Sequence, residues 1–177
     1  VITGLEGIQI KEDDLKSLCA AFGTTSAASM LHIGGHTPNL YFKSSSKLEQ
    51  LFITKDDFKE LWKNLNCKFD NIDLVAIGSP HASVTECKKF ADFLNGSRCN
   101  SITKTIITVG RETLMKISDN GIMEQLKESG VQVISDICWC SITEPVFPIS
   151  TRVMMTNSGK FAHYGKALTG RELRFGC

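Results

Sequence analysis

Five short stretches of this chain each follow a run of apolar, often β-branched residues, and each carries side chains able to bind or react. They are Gly34-Gly35-His36-Thr37-Pro38, Gly78-Ser79-Pro80-His81-Ala82-Ser83, Gly110-Arg111-Glu112, Asp136-Ile137-Cys138-Trp139-Cys140 and Thr156-Asn157-Ser158-Gly159-Lys160. Among them are the polar or reactive side chains of Ser79, His81, Asp136, Cys138, Asn157, Ser158 and Lys160. Glycine in most of the stretches lets backbone come close to a ligand. Taken singly, each stretch is also an ordinary turn signal. Their joint meaning depends on whether a fold gathers them on one edge.

The elements that would do so can be read from periodicity. Residues 11–22 put Leu15, Leu18, Cys19 and Phe22 on one helical face. Residues 29–33 read as a strand stopped by Gly34-Gly35. Thr54 can cap a helix whose Phe58, Leu61, Trp62 and Leu65 share a side. Residues 72–77 are nearly all apolar, as in a parallel sheet covered on both faces. Ser83-Val84-Thr85-Glu86 is a capping box for a helix through Cys87, Phe90, Ala91 and Leu94, closed by Asn95-Gly96. Strands follow at 105–109 and 131–135, with helical sequence between them broken near Asp119-Asn120-Gly121. Ser44-Ser45-Ser46 is a brief loop, and 141–150 is a longer one punctuated by proline. Residues 152–155 form the last clear strand.

This alternation predicts one α/β domain over residues 1–177, with an open, mostly parallel sheet and helices on both faces in a three-layer sandwich. In such sheets ligands bind outside the carboxyl ends of the strands. All five stretches therefore fall on one edge.

Twenty Lys and Arg are dispersed among nineteen Asp and Glu, for a net charge of +1, so nucleic acid is not the expected partner. No apolar run approaches the ~20 residues of a membrane span, and no signal peptide is expected. Seven irregularly spaced cysteines argue for free thiols in a reducing cytoplasm over a disulfide framework. The dinucleotide fingerprint, phosphate loop, nucleophile elbow and His-Glu-x-x-His are all absent. Cys138-x-Cys140 lacks the second pair of a zinc ribbon. As a strand-like segment it would turn its two thiols to opposite faces, leaving Cys138 the one aimed at a site. Val1 in place of Met fits a processed N-terminus and a piece of a longer polypeptide equally well.

Gly78 to Ser83 with Glu86, then Asp136-Ile137-Cys138, then Met155-Thr156-Asn157-Ser158-Gly159-Lys160-Phe161-Ala162-His163-Tyr164, and finally Arg174-Phe175-Gly176 resemble the aconitase X family in order and spacing. His32 to Pro38 adds a weaker match. The resemblance implies a dehydratase of small hydroxy acids, acting on cis-3-hydroxy-L-proline in one branch and on mevalonate 5-phosphate in another. It implies iron or an iron–sulfur cluster with Cys138 as a ligand. It makes Ser79, His81, Thr156, Asn157, Ser158, Lys160 and Tyr164 the substrate-binding set. It also implies that the chain is the C-terminal half of a large subunit. An N-terminal half and a small swivelling domain or subunit would complete it and carry the catalytic base. Ser79 stands where some members have Cys, which tilts the reading toward the hydroxyproline branch. Two other readings use the same residues: a non-catalytic module holding a small anion in this crevice, and a redox role for Cys138 and Cys140.

Overall fold

The computed structural model describes residues 1–28, 30–38 and 49–176, so Ser29, Ser44-Ser45-Ser46 and Cys177 lie outside the described residues. Helix α1 (Glu12–Thr25) and helix α2 (Lys55–Asn64) come first. Strand β1 (Leu74–Ala82), helix α3 (Val84–Leu94) and strand β2 (Lys104–Val109) follow. Helices α4 (Arg111–Asp119) and α5 (Ile122–Glu128) then lead to strand β3 (Val131–Ser135). After a 3-10 turn, Trp139–Ser141, strand β4 (Val153–Thr156), helix α6 (Gly159–Thr169) and strand β5 (Glu172–Phe175) complete the order.

The five strands form one all-parallel sheet in the order β3-β2-β1-β4-β5. Alternation along β2 shows how it is covered. Ile107 and Val109 join Cys87, Ala91, Ile117 and Leu126 under α3, α4 and α5. Ile106 faces the other way, into a cluster with Leu74, Met154, Trp139, Phe147 and Phe161. Helices lie on both faces, as the apolar runs require, and α1 packs outside α6. Burying a side chain such as Phe161 contributes roughly 1.5–3 kcal/mol. Between α3 and β4, Val75, Ile77, Phe90, Phe93 and Met155 line an apolar groove of about 520 Å³.

Three elements differ from the sequence reading. Among the described residues, the expected strand at 29–33 gives one parallel bridge, Ile33 to Ile2. Residues 152–155 are not the last strand: β5 pairs with β4 beyond them. Finally, β1 does not stop at Ile77. Its pairing with β2 breaks after Ile77 and resumes at Ala82 with Val109, so Gly78 to His81 form a bulge inside the strand.

Among the described residues no helix is long and apolar enough to cross a membrane. None of the six described cysteines is in a disulfide.

Candidate active site

The chain moves outward from β1 through β2 to β3, then returns to the far side of β1 as β4. Loops leaving β1 and β4 therefore diverge to opposite faces, and the crevice between them is where an open α/β sheet receives ligands. Gly78 makes the β1 bulge possible. Its φ is +99°, and a Cβ there would fall 2.3 Å from the Thr108 carbonyl oxygen. Thr108 Oγ1 donates to the Gly78 carbonyl at 2.7 Å, and the Trp139 indole N–H donates to the Ile77 carbonyl at 2.8 Å. Both bonds satisfy carbonyls at the break in the ladder.

Ser79 is 3% exposed, and its carbonyl accepts a hydrogen bond from Ser158 Oγ. Ser158 is also the N-cap of α6, accepting from Phe161 N at 3.0 Å. The two diverging loops are thus stitched together at the switch point. Beside this stitch, the hydroxyls of Ser79 and Tyr164 are buried next to each other. Burial pushes the Tyr164 hydroxyl above its ordinary range; the neighbouring Ser79 hydroxyl and the Lys160 charge only partly offset this. Buried hydroxyls cost free energy unless they are paired, and here the two lie against each other.

The thiol segment differs from expectation. Because residues 139–141 wind into a 3-10 turn, the thiols of Cys138 and Cys140 do not diverge as they would along a strand. The Cys138 thiol beside Cys140 holds that thiol below its ordinary range. The Ser141 hydroxyl at 3.7 Å and the Lys160 charge act in the same direction, against a small opposing effect of burial. Cys87, in the core under α3, behaves oppositely: burial pushes its thiol up to about 12. Reactive and structural thiols are distinguished by such surroundings.

His81 Nε2 lies 3.1 Å from the carbonyl oxygen of Ile137. A carbonyl only accepts, so Nε2 carries the proton and Nδ1 is left for another partner. Asp136, in a left-handed conformation with φ of 59°, accepts from Arg111 N at 2.9 Å and Arg111 Nε at 3.0 Å. Those bonds fix the entry to the thiol turn.

The expected site residues therefore divide. Ser79, Ser158, Lys160, Tyr164 and Cys138 surround one point, and His81 reaches the same turn through Ile137. Thr156 is 1% exposed and its hydroxyl accepts from Ser158 N at 3.1 Å, so it shapes the loop from inside. Asn157 is exposed and lines the apolar groove. Sequence reasoning turned Cys140 away from the site, and it missed Trp139 and the α1 residues Asp13 and Lys16. The second cysteine was itself the signal for Cys140, obscured by reading a turn as a strand.

Thiols are suitable donors for iron or an iron–sulfur cluster. Two of them meet here, while among the described residues no group of three or more His, Cys, Asp or Glu could hold a metal. By itself the pair would fit only part of a ligand set.

Residues 72–177 match the family model for the aconitase X third domain, and residues 1–63 match that for the aconitase X second domain. The chain belongs to the aconitase X family. Cis-3-hydroxy-L-proline dehydratase of Hypocrea jecorina (strain QM6a) is 37% identical over 99% of this chain and 31% of its own length. The phosphomevalonate dehydratase large subunit of Methanocaldococcus jannaschii is 29% identical over 93% of this chain and 40% of its own. The crystal structure of Thermococcus kodakaraensis aconitase X in its holo-form superposes with a TM-score of 0.81 at 30% identity, over 94% of this chain and 42% of that one. The chain thus spans less than half the length of these aconitase X relatives.

Proposed function

We propose that this chain is the substrate-binding part of a hydro-lyase that removes water from a small hydroxy acid, with cis-3-hydroxy-L-proline favoured over mevalonate 5-phosphate. The observation that carries the reading is the meeting of Cys138, Cys140, Lys160, Tyr164 and the Ser79 hydroxyl beside the Ser79–Ser158 stitch. Greater identity to the hydroxyproline enzyme supports the choice of substrate.

Dehydration removes a proton from carbon, breaks a C–O bond and forms C=C, releasing water. Lys160, which makes no ion pair with a carboxylate among the described residues, pairs with the substrate carboxylate. Tyr164 stays protonated because burial favours its neutral form, so it donates to a substrate oxygen. The Ser79 hydroxyl and His81 Nδ1 supply further hydrogen bonds that orient the ring and its hydroxyl. Iron held by Cys138, with Cys140 beside it, would supply Lewis acidity toward the departing hydroxyl. The carbon-bound proton goes to a base outside this chain, on a portion of the longer enzyme that closes over the crevice. Unpaired thiols suit the cytoplasm, and we assign the enzyme there.

The test is the full-length enzyme, reconstituted with iron and offered both substrates, with loss of water followed by mass spectrometry. Turnover of cis-3-hydroxy-L-proline is expected, and Lys160→Met should raise KM about tenfold by removing a countercharge. Tight, metal-independent binding of hydroxy acids without turnover would replace the enzyme with a small-anion module.

A further inference from the structure

Lys16 belongs to none of the motifs at the strand ends. It lies on α1, in the segment matched by the second-domain model, while the crevice belongs to the third. Its ammonium has three N–H donors, and three acceptors meet it: Asp13 Oδ1 at 3.1 Å, the His81 carbonyl at 3.2 Å and Glu86 Oε2 at 2.5 Å. Ser83 Oγ closes the cluster, donating to Asp13 Oδ2 at 3.0 Å.

The place of contact matters. Pairing of β1 with β2 is broken between Ile77 and Ala82, so the His81 carbonyl lies in the stretch without a ladder partner. Lys16 supplies one. Burial pulls the ammonium toward its neutral form, but the hydrogen bonds to Glu86 and Asp13 outweigh it and hold the group above ordinary lysine. Without the lysine, Asp13 and Glu86 would be left as like charges around an unpinned peptide.

We infer that Lys16 is a positioning residue for the thiol turn: it pins the His81 peptide, and the His81 ring in turn holds the Ile137 carbonyl next to Cys138. The tie runs from α1, through the β1 bulge, to the turn that carries both thiols. Its bearing on catalysis rests on the dehydratase reading; the tie itself does not.

The experiment is amide hydrogen exchange on the full-length enzyme, read in the peptide spanning residues 136–141, with Lys16→Met, Lys16→Arg, His81→Ala and the Lys16→Met/His81→Ala double variant. Lys16→Met should speed exchange there about tenfold, with Lys16→Arg recovering most of the loss. His81→Ala should match Lys16→Met, and the double variant should exchange no faster than His81→Ala alone. A lysine that only stabilised the fold would lower Tm and leave exchange in 136–141 unchanged. That result, or additive effects in the double variant, overturns the inference. If Lys16→Met does not fold, Asp13→Asn carries the test with a rise of about threefold, and no rise overturns it. No substrate is involved, so failure here and failure of the turnover assay are separate outcomes.

Discussion

Helices α2 and α3 open on the same device. At α2, Thr54 N donates to Asp57 Oδ2 at 2.6 Å, and Asp57 N donates to Thr54 Oγ1 at 3.4 Å. At α3, Ser83 N donates to Glu86 Oε2 at 2.8 Å, and Glu86 N donates to Ser83 Oγ at 3.0 Å. Both helices carry an apolar side. Yet α2 leaves Phe58 67% and Leu61 51% exposed, whereas α3 seats Cys87 and Ala91 in the core. The acid of the α3 box also receives Lys16, and its serine reaches Asp13. A capping box decides where a helix starts. Contacts distant in sequence decide whether that start holds anything else in place.

The hardest blow to this contrast is Gly78→Ala, in the bulge that delivers the chain to α3. A methyl group meeting the Thr108 carbonyl, at a φ that L-residues avoid, should cost at least about 3 kcal/mol in urea unfolding. A loss below about 1 kcal/mol would mean the bulge is not required. Next come the caps themselves. Ser83→Ala should cost about 2 kcal/mol, because it frees Asp13 as well as a helix N–H, and Thr54→Ala about 0.5 kcal/mol. Equal losses would erase the distinction.

The smallest effect is that of pH. Asp13 is lowered: burial works against this, and hydrogen bonds from Lys16 and Ser83 prevail. Its contribution is therefore present above the ordinary value of 3.8 and lost as pH falls through the lowered one. Lys16 is raised, so its contribution is present below 10.5 and lost as pH rises through the raised value. Solvent screening keeps either loss to about 0.5 kcal/mol or less. Exchange at α1 should loosen at both extremes. At α2 it should loosen only in acid, where Asp57 loses the hydrogen bonds from Thr54 that lower it.

What could be read from the sequence follows the same division. Caps and apolar periods located α2, α3, α5 and the starts of β1 to β4, because those signals are local. Ser79, Ser158, Lys160 and Tyr164 came together because the strand order brings the ends of β1 and β4 side by side, and Cys138 joins them from the crossover that leaves β3. Of the stretch 29–33, the described residues pair only through Ile33, with Ile2. β5 was missed because Glu172 and Arg174 alternate with apolar residues on a short edge strand. Gly78 to His81 carried every mark of a turn, and only the pairing with β2 on either side reveals a bulge. Lys16 could not be found at all: its bond to His81 spans 65 residues, and nothing around it in the sequence announces a partner.

The groove between α3 and β4 has a consequence for handling these residues. Phe93 stands 82% exposed at its edge, so a chain of these residues alone presents an adhesive strip to water. Sulfate and phosphate strengthen apolar burial, while salt screens charge pairs such as Lys16–Glu86. Salting-out conditions therefore push copies together along this strip while they loosen the ion pairs that order the rim.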